Sequence, residues 1–210
     1  MVKKRSSIAI SMPKDMVSAI ILAAGESKRM GKPKLLLRFG CSTILERTMD
    51  NLLNSNADEI IVVLGYKAQE MKSLIANRPV TTAINPNYHK GIGTSIATGL
   101  RVISDRTQGV MLALADQPRV SSQIIDQIIK SFIGHSKGIT IPVNNGRRGH
   151  PVVFDIKYKS ELLRLTGDIG GRALIDRYPD DILEVDVNCA CICTDIDTIA
   201  DYYVERSRIN

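Results

Sequence analysis

A short apolar segment that leads directly into a glycine-containing, basic loop constrains the fold of this chain more than any other feature. Residues 17–23 read VSAIILA and are rich in β-branched side chains, which is typical of a central strand buried on both faces of a parallel sheet. Ala24 and Gly25 follow, and their small size lets backbone N–H groups approach a ligand closely. The segment therefore predicts an α/β fold with a ligand site at the carboxyl end of its first strand.

Four basic residues follow this glycine within a few positions and are opposed only by Glu26. They are Lys28, Arg29, Lys32 and Lys34. A guanidinium group grips phosphate oxygens through a rigid fork, whereas a lysine acts as a mobile point charge. The loop therefore predicts a polyphosphate site, and a solvated basic loop is the alternative.

Spacing excludes two common phosphate-binding loops. A Walker A loop has four residues between its glycines and then Gly-Lys-Ser/Thr, but Gly25 and Gly31 are separated by five residues, and Pro33 follows Lys32. A dinucleotide fingerprint needs a second glycine at position 27, where the chain has Ser27. The phosphate loop is therefore of another kind.

Composition and charge narrow the range of partners. Lys and Arg number 28 against 22 Asp and Glu, and this modest excess suits anionic small molecules. No arginine–aromatic interleaving accompanies the excess, so no nucleic-acid partner is expected. No apolar run reaches the roughly 18–20 residues of a membrane helix, and residues 1–16 lack a signal-peptide core. We expect a cytoplasmic protein with no membrane partner, a flexible tail or added strand at residues 1–16, and one domain over residues 17–210.

Strand-like and helix-like segments alternate along the chain with short connections. The predicted strands are 17–23, 59–64, 80–84, 109–114, 139–143, 151–154 and 182–187, and the predicted helices are 43–54, 68–76, 94–104, 121–133, 157–164, 171–177 and 197–206. Such alternation is typical of βαβ units. It predicts a Rossmann-like three-layer α/β sandwich with a mostly parallel central sheet.

The four cysteines favour a reducing compartment over a disulfide scaffold. Cys189, Cys191 and Cys193 form a C-x-C-x-C pattern, which a strand would place on one face. We interpret them as structural cysteines of a strand, with a thiolate metal or persulfide site as the alternative.

A carboxylate follows the second buried strand. Residues 110–115 read VMLALA, and Asp116, Gln117 and Pro118 come next. Because the carboxyl ends of parallel strands share one edge of the sheet, we expect Asp116 near the basic loop. Carboxylates of this kind hold Mg²⁺ and let it bridge to a substrate phosphate. The alternative is a cap for the helix that begins near Ser121.

A second group of carboxylates lies in residues 195–201. One carboxylate alone binds magnesium weakly, so a partner for Asp116 is expected, and Asp197 is the candidate. The alternative is that Asp197 or Thr198 caps the final helix.

A polar loop over residues 85–95 is a candidate for contacts with a base edge or a ribose. Gly91 and Gly93 permit close backbone approach, and Ser95 offers a hydroxyl at a helix start. An ordinary capped loop is the alternative. His89 has no companions at metal-ligand spacing, so we expect a surface residue there.

Two further loops are candidates for a second anion, with solvated turns as the alternative. Residues 145–151 contain two adjacent arginines before His150, and residues 166–172 open a helix, whose N-terminus favours anions.

Together these segments resemble the molybdenum cofactor cytidylyltransferases, within the MobA-like NTP transferase group. The resemblance spans Val17 to Tyr203, and its specific parts are LAAGESKRMGKPK, NPNYHKGIGTSIATGL, ALADQP, GRRGHPVVF, GDIGGR and DIDTIAD. It implies a Rossmann-like fold and transfer of CMP from CTP to the terminal phosphate of molybdopterin, with release of pyrophosphate. A molybdenum hydroxylase apoenzyme is a further implied partner.

The resemblance also implies roles for the matched positions. The residues expected to bind nucleotide are Leu22, Ala23, Ala24, Gly25, Arg29, Lys34, Gly93, Ser95 and Asp116. Those expected to be catalytic are Lys34, Arg29 and Asp116. Those expected to hold Mg²⁺, or Mn²⁺ in its place, are Asp116 and Asp197. Those expected to contact the acceptor are Arg147, Arg148, His150, Asp168 and Arg172.

Within the group, Ala-Ala-Gly at positions 23–25 is similar to the cytidine-using members, whereas guanine users tend to carry Leu-Ala-Gly-Gly. Two alternatives stay open. One is a nucleotidyltransferase of the same fold that acts on a sugar phosphate or polyol phosphate. The other is a non-catalytic carrier or chaperone that delivers a bound cofactor to a molybdenum hydroxylase.

Overall fold

A computed structural model describes residues 16–209 of the chain. The predicted N-terminal tail lies outside the described residues except for Met16, which begins the first strand. Among the described residues, no helix is both long and apolar enough to cross a membrane.

Ten strands are present in the described chain, and most of them begin and end within two residues of their predicted bounds. They are β1 (Met16–Ala23), β2 (Arg38–Phe39), β3 (Ser42–Thr43), β4 (Glu59–Leu64), β5 (Thr81–Ile84), β6 (Thr107–Leu114), β7 (Ile139–Asn144), β8 (Arg147–Arg148), β9 (Val152–Asp155) and β10 (Ile182–Asp186). The three shortest, β2, β3 and β8, had no strand signal in the sequence.

Eight strands form the central sheet, in the order β10-β7-β9-β6-β1-β4-β5, with β8 paired to β7. The pairs β1–β4, β1–β6, β4–β5 and β7–β10 are parallel, and β9 runs antiparallel between β6 and β7. β2 and β3 form a separate hairpin. The mostly parallel sheet predicted from the sequence is confirmed, and β1 lies at its centre.

Seven α-helices within residues 16–209 cover the sheet. They are α1 (Ile44–Leu53), α2 (Ala68–Leu74), α3 (Ile92–Leu100), α4 (Ser122–Ile133), α5 (Lys159–Leu162), α6 (Arg172–Arg177) and α7 (Ile199–Ser207). Because successive side chains of a strand point to opposite faces, β1 contributes to two cores. Ile21 packs with residues of α1, α2, α4 and α7, whereas Ile20 packs with residues of α3, α5 and α6. The chain is therefore a three-layer sandwich, as predicted.

The C-x-C-x-C segment does not form the predicted strand. Residues Ala190–Cys193 form a 3₁₀ turn, and Cys189 and Cys191 are joined by a disulfide with their Cα atoms 5.2 Å apart. The turn directs the Ile192 carbonyl inward, where it accepts hydrogen bonds from Gln117 Nε2 (3.1 Å) and the backbone N–H of His150 (2.9 Å). These inward contacts take the place of strand pairing, so the prediction that the three cysteines lie on a strand is wrong.

Candidate functional site

β1 and β6 end side by side at a cavity of about 490 Å³. It lies at the carboxyl edge of the parallel strands, where α/β sheets place their ligands. Nine predicted site residues line it: Leu22, Ala24, Gly25, Arg29, Lys34, Ser95, Asp116, Asp168 and Asp197. We call this space the first cavity.

The loop after β1 is folded so that Lys34 returns to the cavity. A Cβ atom added at Gly25 would meet nothing within 4 Å, so protein packing does not require a glycine there. Ser27 is in the left-handed region with φ 56°, and its Oγ accepts a hydrogen bond from the backbone N–H of Lys34 at 3.2 Å. Buried Leu35 anchors the end of the loop in the core. The loop thus leaves open space above Gly25 and a lysine at its far side.

Fixed charges of both signs meet in the first cavity. Lys34 Nζ lies 2.5 Å from Asp116 Oδ2 and 3.0 Å from Asp197 Oδ1. The guanidinium of Arg29 lies 2.8 Å from the other oxygen of Asp197. Both carboxylates and the lysine are mostly shielded, whereas the Arg29 side chain is 70% exposed. The network therefore combines a shielded lysine with an exposed arginine.

Other residues cap the two neighbouring helices, so both carboxylates stay free for this network. Ser121 caps α4 and accepts from the backbone N–H of Ile124. Thr198 caps α7 in a reciprocal capping box with Asp201, with hydrogen bonds of 3.2 and 2.8 Å. The alternative that Thr198 caps the final helix is therefore confirmed, whereas neither Asp116 nor Asp197 acts as a helix cap.

The electrostatics of the pair favour a cation between the carboxylates. Burial acts against the charge on Lys34, but the charges and hydrogen bonds of Asp116 and Asp197 outweigh it and raise the lysine pKa. Burial also raises the pKa of the Asp116 carboxyl, while the nearby Lys34 charge opposes that rise. A shielded carboxylate needs a cation close to it, and Lys34 supplies that charge.

The same two carboxylates fit a divalent metal of the Mg²⁺ type. Within residues 16–209 there is no cluster of three or more Asp, Glu, His or Cys side chains at metal-binding distance. Mg²⁺ is commonly held by one or two carboxylates together with substrate phosphates and waters. Asp116 and Asp197 already approach one cation together, so the donor set suits that mode of binding.

A second cavity of about 530 Å³ lies beside the first and shares Leu22, Ile92, Leu114 and Asp168 with it. Its lining is largely apolar and includes Phe154. Four predicted acceptor residues line it: Arg148, His150, Arg172 and the shared Asp168. The space therefore combines apolar surface with two arginines, which pair with acidic side chains: Arg148 Nε lies 2.7 Å from Glu184 Oε1, and Arg172 Nε lies 3.6 Å from Asp176 Oδ2.

His150 is the shielded titratable group of the second cavity. Burial lowers the pKa of its imidazole, and the charge of Asp116 acts weakly in the opposite direction. A neutral ring is therefore favoured at this position.

Comparisons with known proteins identify relatives of similar sequence and fold. The molybdenum cofactor cytidylyltransferase of Escherichia coli (strain K12) is 30% identical, over 91% of this chain and 96% of that protein. The nicotine blue oxidoreductase of Paenarthrobacter nicotinovorans is 27% identical, over 89% and 95% of the two chains. The crystal structure of Rv0371c from Mycobacterium tuberculosis H37Rv has a TM-score of 0.84 at 27% identity, and the match covers 93% of this chain and all of that one.

The MobA-like NTP transferase domain matches residues 19–182. The chain belongs to the MobA-like NTP transferase family. A nucleotidyl transferase from Methanothermobacter has the same fold, with a TM-score of 0.79 at 25% identity over 92% of this chain and 97% of that one. The family and fold expected from the loop after β1 are thereby confirmed.

Three predicted site residues of this MobA-like domain line neither cavity. The side chain of Ala23 is buried in the core, and Arg147 is exposed on β8. A Cβ atom at Gly93 would lie 2.7 Å from the carbonyl oxygen of Leu165. Ala23 and Gly93 could therefore contact a ligand only through backbone atoms. The side chain of Arg147 lies outside both cavities.

The glycines of the 85–95 loop serve the packing of two loops against each other. Gly91 has φ +104°, and a Cβ atom there would lie 2.3 Å from the backbone of Gly167. Asp168 Oδ1 accepts from the backbone N–H of Ile92 at 3.3 Å, which joins the same loops a second time. From the sequence we expected these glycines to let the backbone approach a ligand closely. In the structure they let it approach the 165–168 segment.

Sequence reasoning missed Gln117, which fixes the relative positions of the two carboxylates. Its side chain is buried and donates to the carbonyl of Ile192 and to Asp195 Oδ1, the latter at 2.7 Å. It therefore ties the segment after Asp116 to the segment before Asp197. The only sequence feature that could have indicated this role is that Gln117 directly follows Asp116.

Tyr88 and His89 also line the first cavity, although no ligand role was predicted for either. His89 is exposed, as expected for a surface residue, but it stands at the cavity rim. The isolated histidine gave no signal of this position.

Proposed function

We propose that this chain is a cytidylyltransferase that transfers CMP from CTP to the terminal phosphate of a molybdopterin-type acceptor. The observation that carries the proposal is the position of Lys34, 2.5 and 3.0 Å from two carboxylates at the carboxyl edge of the sheet. Phosphoryl chemistry depends mainly on positioning and on neutralising charge, and this arrangement of fixed charges serves both.

In this proposal the nucleotide occupies the first cavity. The backbone of residues 22–25 cradles it, and the open space above Gly25 supports that role. Arg29 and Lys34 hold the phosphates. The planar guanidinium of Arg29 can bind two phosphate oxygens at once, and the compact ammonium of Lys34 supplies a single positive charge. Ser95 lies on the base or ribose side, whereas Gly93 lines neither cavity and is left out of the proposed nucleotide contacts. Ser95 lines the cavity, and its hydroxyl accepts from Asn85 Nδ2 at 3.0 Å.

The acceptor occupies the second cavity. Its apolar lining suits a fused planar ring system, and its arginines suit a terminal phosphate. Arg148 and Arg172 would grip that phosphate, with His150 and Asp168 at the ring. Arg147 lies outside the cavity on the same arginine-bearing loop and adds positive charge to the approach.

The chemistry requires no protein base. An oxygen of the anionic acceptor phosphate attacks the α-phosphorus of CTP, the bond from that phosphorus to the bridging oxygen breaks, and pyrophosphate leaves. Lys34 meets the charge that develops on the α-phosphoryl group, and Arg29 follows the departing pyrophosphate. Neither role transfers a proton, which agrees with the two residues being permanent cations.

Asp116 and Asp197 would hold Mg²⁺, or Mn²⁺ in its place. When bound, the metal neutralises phosphate oxygens and favours departure of the pyrophosphate. Support comes from a relative of the same fold, since Rv0371c of Mycobacterium tuberculosis H37Rv has been crystallised in complex with manganese.

The names of the relatives support the proposal unequally. The Escherichia coli relative is a cytidylyltransferase, whereas the Paenarthrobacter relative is an oxidoreductase. The charged network favours nucleotidyl transfer for this chain, because hydride transfer does not need two carboxylates around a lysine. The proposal retains a cytoplasmic location and delivery of the product to a molybdenum hydroxylase apoenzyme.

The decisive experiment is a pyrophosphate-release assay that crosses CTP, GTP, ATP and UTP with molybdopterin, a sugar phosphate and a polyol phosphate. We expect release only with CTP and molybdopterin, and no release after EDTA treatment. Lys34→Ala should abolish most of the signal. Lys32→Ala is the matched control, since Lys32 is exposed on the same loop and lies outside both cavities.

Other outcomes would replace the proposal. Release with a sugar phosphate or polyol phosphate alone would leave a nucleotidyltransferase with another acceptor. Tight molybdopterin binding without release would indicate a carrier. Nicotinamide-dependent reduction of a dye without any pyrophosphate would indicate an oxidoreductase.

A further inference from the structure

A third cavity, of about 400 Å³, shares no lining residue with the first two. It lies between the β2–β3 hairpin, α1, the segment after Asp116 and the end of α7. The residues that line it are Phe39, Gly40, Cys41, Ser42, Arg47, Asn51, Pro118, Arg119, Ser121, Arg208 and Ile209. We call it the arginine cavity.

Positive charge in the arginine cavity exceeds the negative charge beside it. Glu205 is only 3% exposed, and each of its carboxylate oxygens takes one arginine. Arg119 Nη1 lies 2.9 Å from Oε2, and Arg208 Nη1 lies 2.6 Å from Oε1. Arg47 has no carboxylate within 4.0 Å among residues 16–209. One carboxylate therefore faces three guanidinium groups.

Most of the hydrogen-bond donors of these arginines remain free in the described part of the chain. A guanidinium carries five N–H donors, and Arg119 and Arg208 each commit one nitrogen to Glu205. The free edges can bind a phosphate or a carboxylate in the two-pronged manner that favours arginine over lysine. Ser121, the N-cap of the twelve-residue helix α4, adds a helix N-terminus to the same wall.

Structural support of Glu205 explains only part of this arrangement. Two arginines neutralise that buried carboxylate on both oxygens, so a third is not needed for it. Arg47 is exposed at the mouth of the cavity without an acidic partner. Like charges gathered around a concave surface disfavour one another unless an anion joins them.

We propose that the arginine cavity is a second anion-binding site, separate from the nucleotide and acceptor cavities, for a small phosphate-bearing molecule. Its volume suits a small molecule. The charge excess selects a ligand with at least two negative charges, and the fork geometry selects phosphate oxygens.

The test is calorimetric titration of inorganic phosphate into the full chain at low salt. Arg29→Gln, Lys34→Gln, Arg148→Gln and Arg172→Gln together remove the cations proposed to bind phosphate in the first two cavities, and this fourfold variant is the background. We expect it to bind phosphate with one site per chain. Adding Arg47→Gln should weaken that binding by about tenfold, because one charge-assisted fork is lost. Arg47 is the residue to change because Glu205 keeps both of its partners.

The matched control is Arg101→Gln in the same background, which removes one exposed arginine outside all three cavities. It should leave the phosphate affinity unchanged. No binding by the fourfold variant would overturn the proposal, and so would equal weakening by Arg47→Gln and Arg101→Gln. A thermal unfolding scan of each variant confirms that the chains compared are folded.

Discussion

The ammonium of Lys34 lies 2.5 Å from Asp116 Oδ2, although 82 positions separate the two residues along the chain. The contact joins the loop after β1 to the end of β6, and the adjacent, parallel pairing of these two strands brings it about. A lysine between two carboxylates occupies the place that a divalent metal would need. Lys34 and the proposed metal would therefore compete for the same oxygens in the free protein.

Replacing Lys34 should lower turnover more than it weakens CTP binding. In the proposed reaction its charge acts on the α-phosphoryl group, and an interaction made mainly in the transition state changes kcat. We expect Lys34→Ala to lower kcat by about 10²–10³, as does loss of one preorganised electrostatic contact. Steady-state kinetics at varied CTP and fixed acceptor measures this, with Arg29→Ala expected to raise KM as well. A raised KM with unchanged kcat would reduce Lys34 to a ground-state anchor.

Metal binding should respond in opposite directions to changes at Lys34 and Asp116. Titration of Mn²⁺ followed by electron paramagnetic resonance, without nucleotide, should show tighter binding to Lys34→Ala because the competing ammonium is gone. Asp116→Asn and Asp197→Asn should each bind Mn²⁺ weakly. The double variant should bind Mn²⁺ no more weakly than either single variant, because both substitutions remove the same site. Asp105→Asn, at an exposed position, is the control. Unchanged Mn²⁺ affinity in Asp116→Asn would refute the metal assignment.

Ala24 should contribute to the choice of the base. It lines the first cavity at the end of β1. Its methyl group lies close to Gly65, because a Cβ atom added at Gly65 would be only 2.8 Å from it. We expect the chain to prefer CTP over GTP, because a site built for one polar edge rejects another. Ala24→Gly should relax this preference, measured as the ratio of kcat/KM for the two nucleotides. Equal or better use of GTP by the unaltered chain would contradict the assignment.

Arg172 should act on the acceptor without acting on CTP. It lines the second cavity and is absent from the first. Arg172→Ala is therefore expected to raise KM for the acceptor by about tenfold, the loss of one charge-assisted contact, and to leave KM for CTP unchanged. Arg164→Ala, which removes an arginine outside both cavities, serves as the control. An equal rise in both KM values would show that the two cavities do not divide the substrates as proposed.

His150 should make the fold sensitive to mild acid. Burial lowers the pKa of its imidazole below the ordinary 6.5. Just below pH 6.5 the unfolded chain therefore binds a proton at His150 that the folded chain does not bind. Its contribution to stability is present above pH 6.5 and is lost as the pH falls below it, at no more than about 1.4 kcal/mol per pH unit for one proton. Urea unfolding of His150→Gln between pH 7 and 5 should show a shallower loss than the unaltered chain.

Exposed His135 provides the comparison for that measurement. His135→Gln should follow the pH dependence of the unaltered chain. The assignment fails if the two histidine variants lose stability in parallel.

The sequence by itself determined the order of the major strands and helices. Local patterns carry that information: the apolar run of β1 needs burial on both faces, and Thr43 with Glu46 begins α1 through a capping box whose residues lie three positions apart. It also determined the glycine-containing basic loop after β1, because Gly25, Arg29 and Lys34 lie within one short segment.

Only the tertiary structure decided which distant residues meet. No local pattern specifies that β9 runs antiparallel between β6 and β7, or that Gly91 packs on the backbone of Gly167. The 3₁₀ turn at Ala190–Cys193 likewise replaces a strand because its Ile192 carbonyl satisfies the buried Gln117 side chain. Packing and hydrogen-bond satisfaction act across the whole chain, so they bring Lys34 to Asp116 where periodicity could only suggest a shared edge.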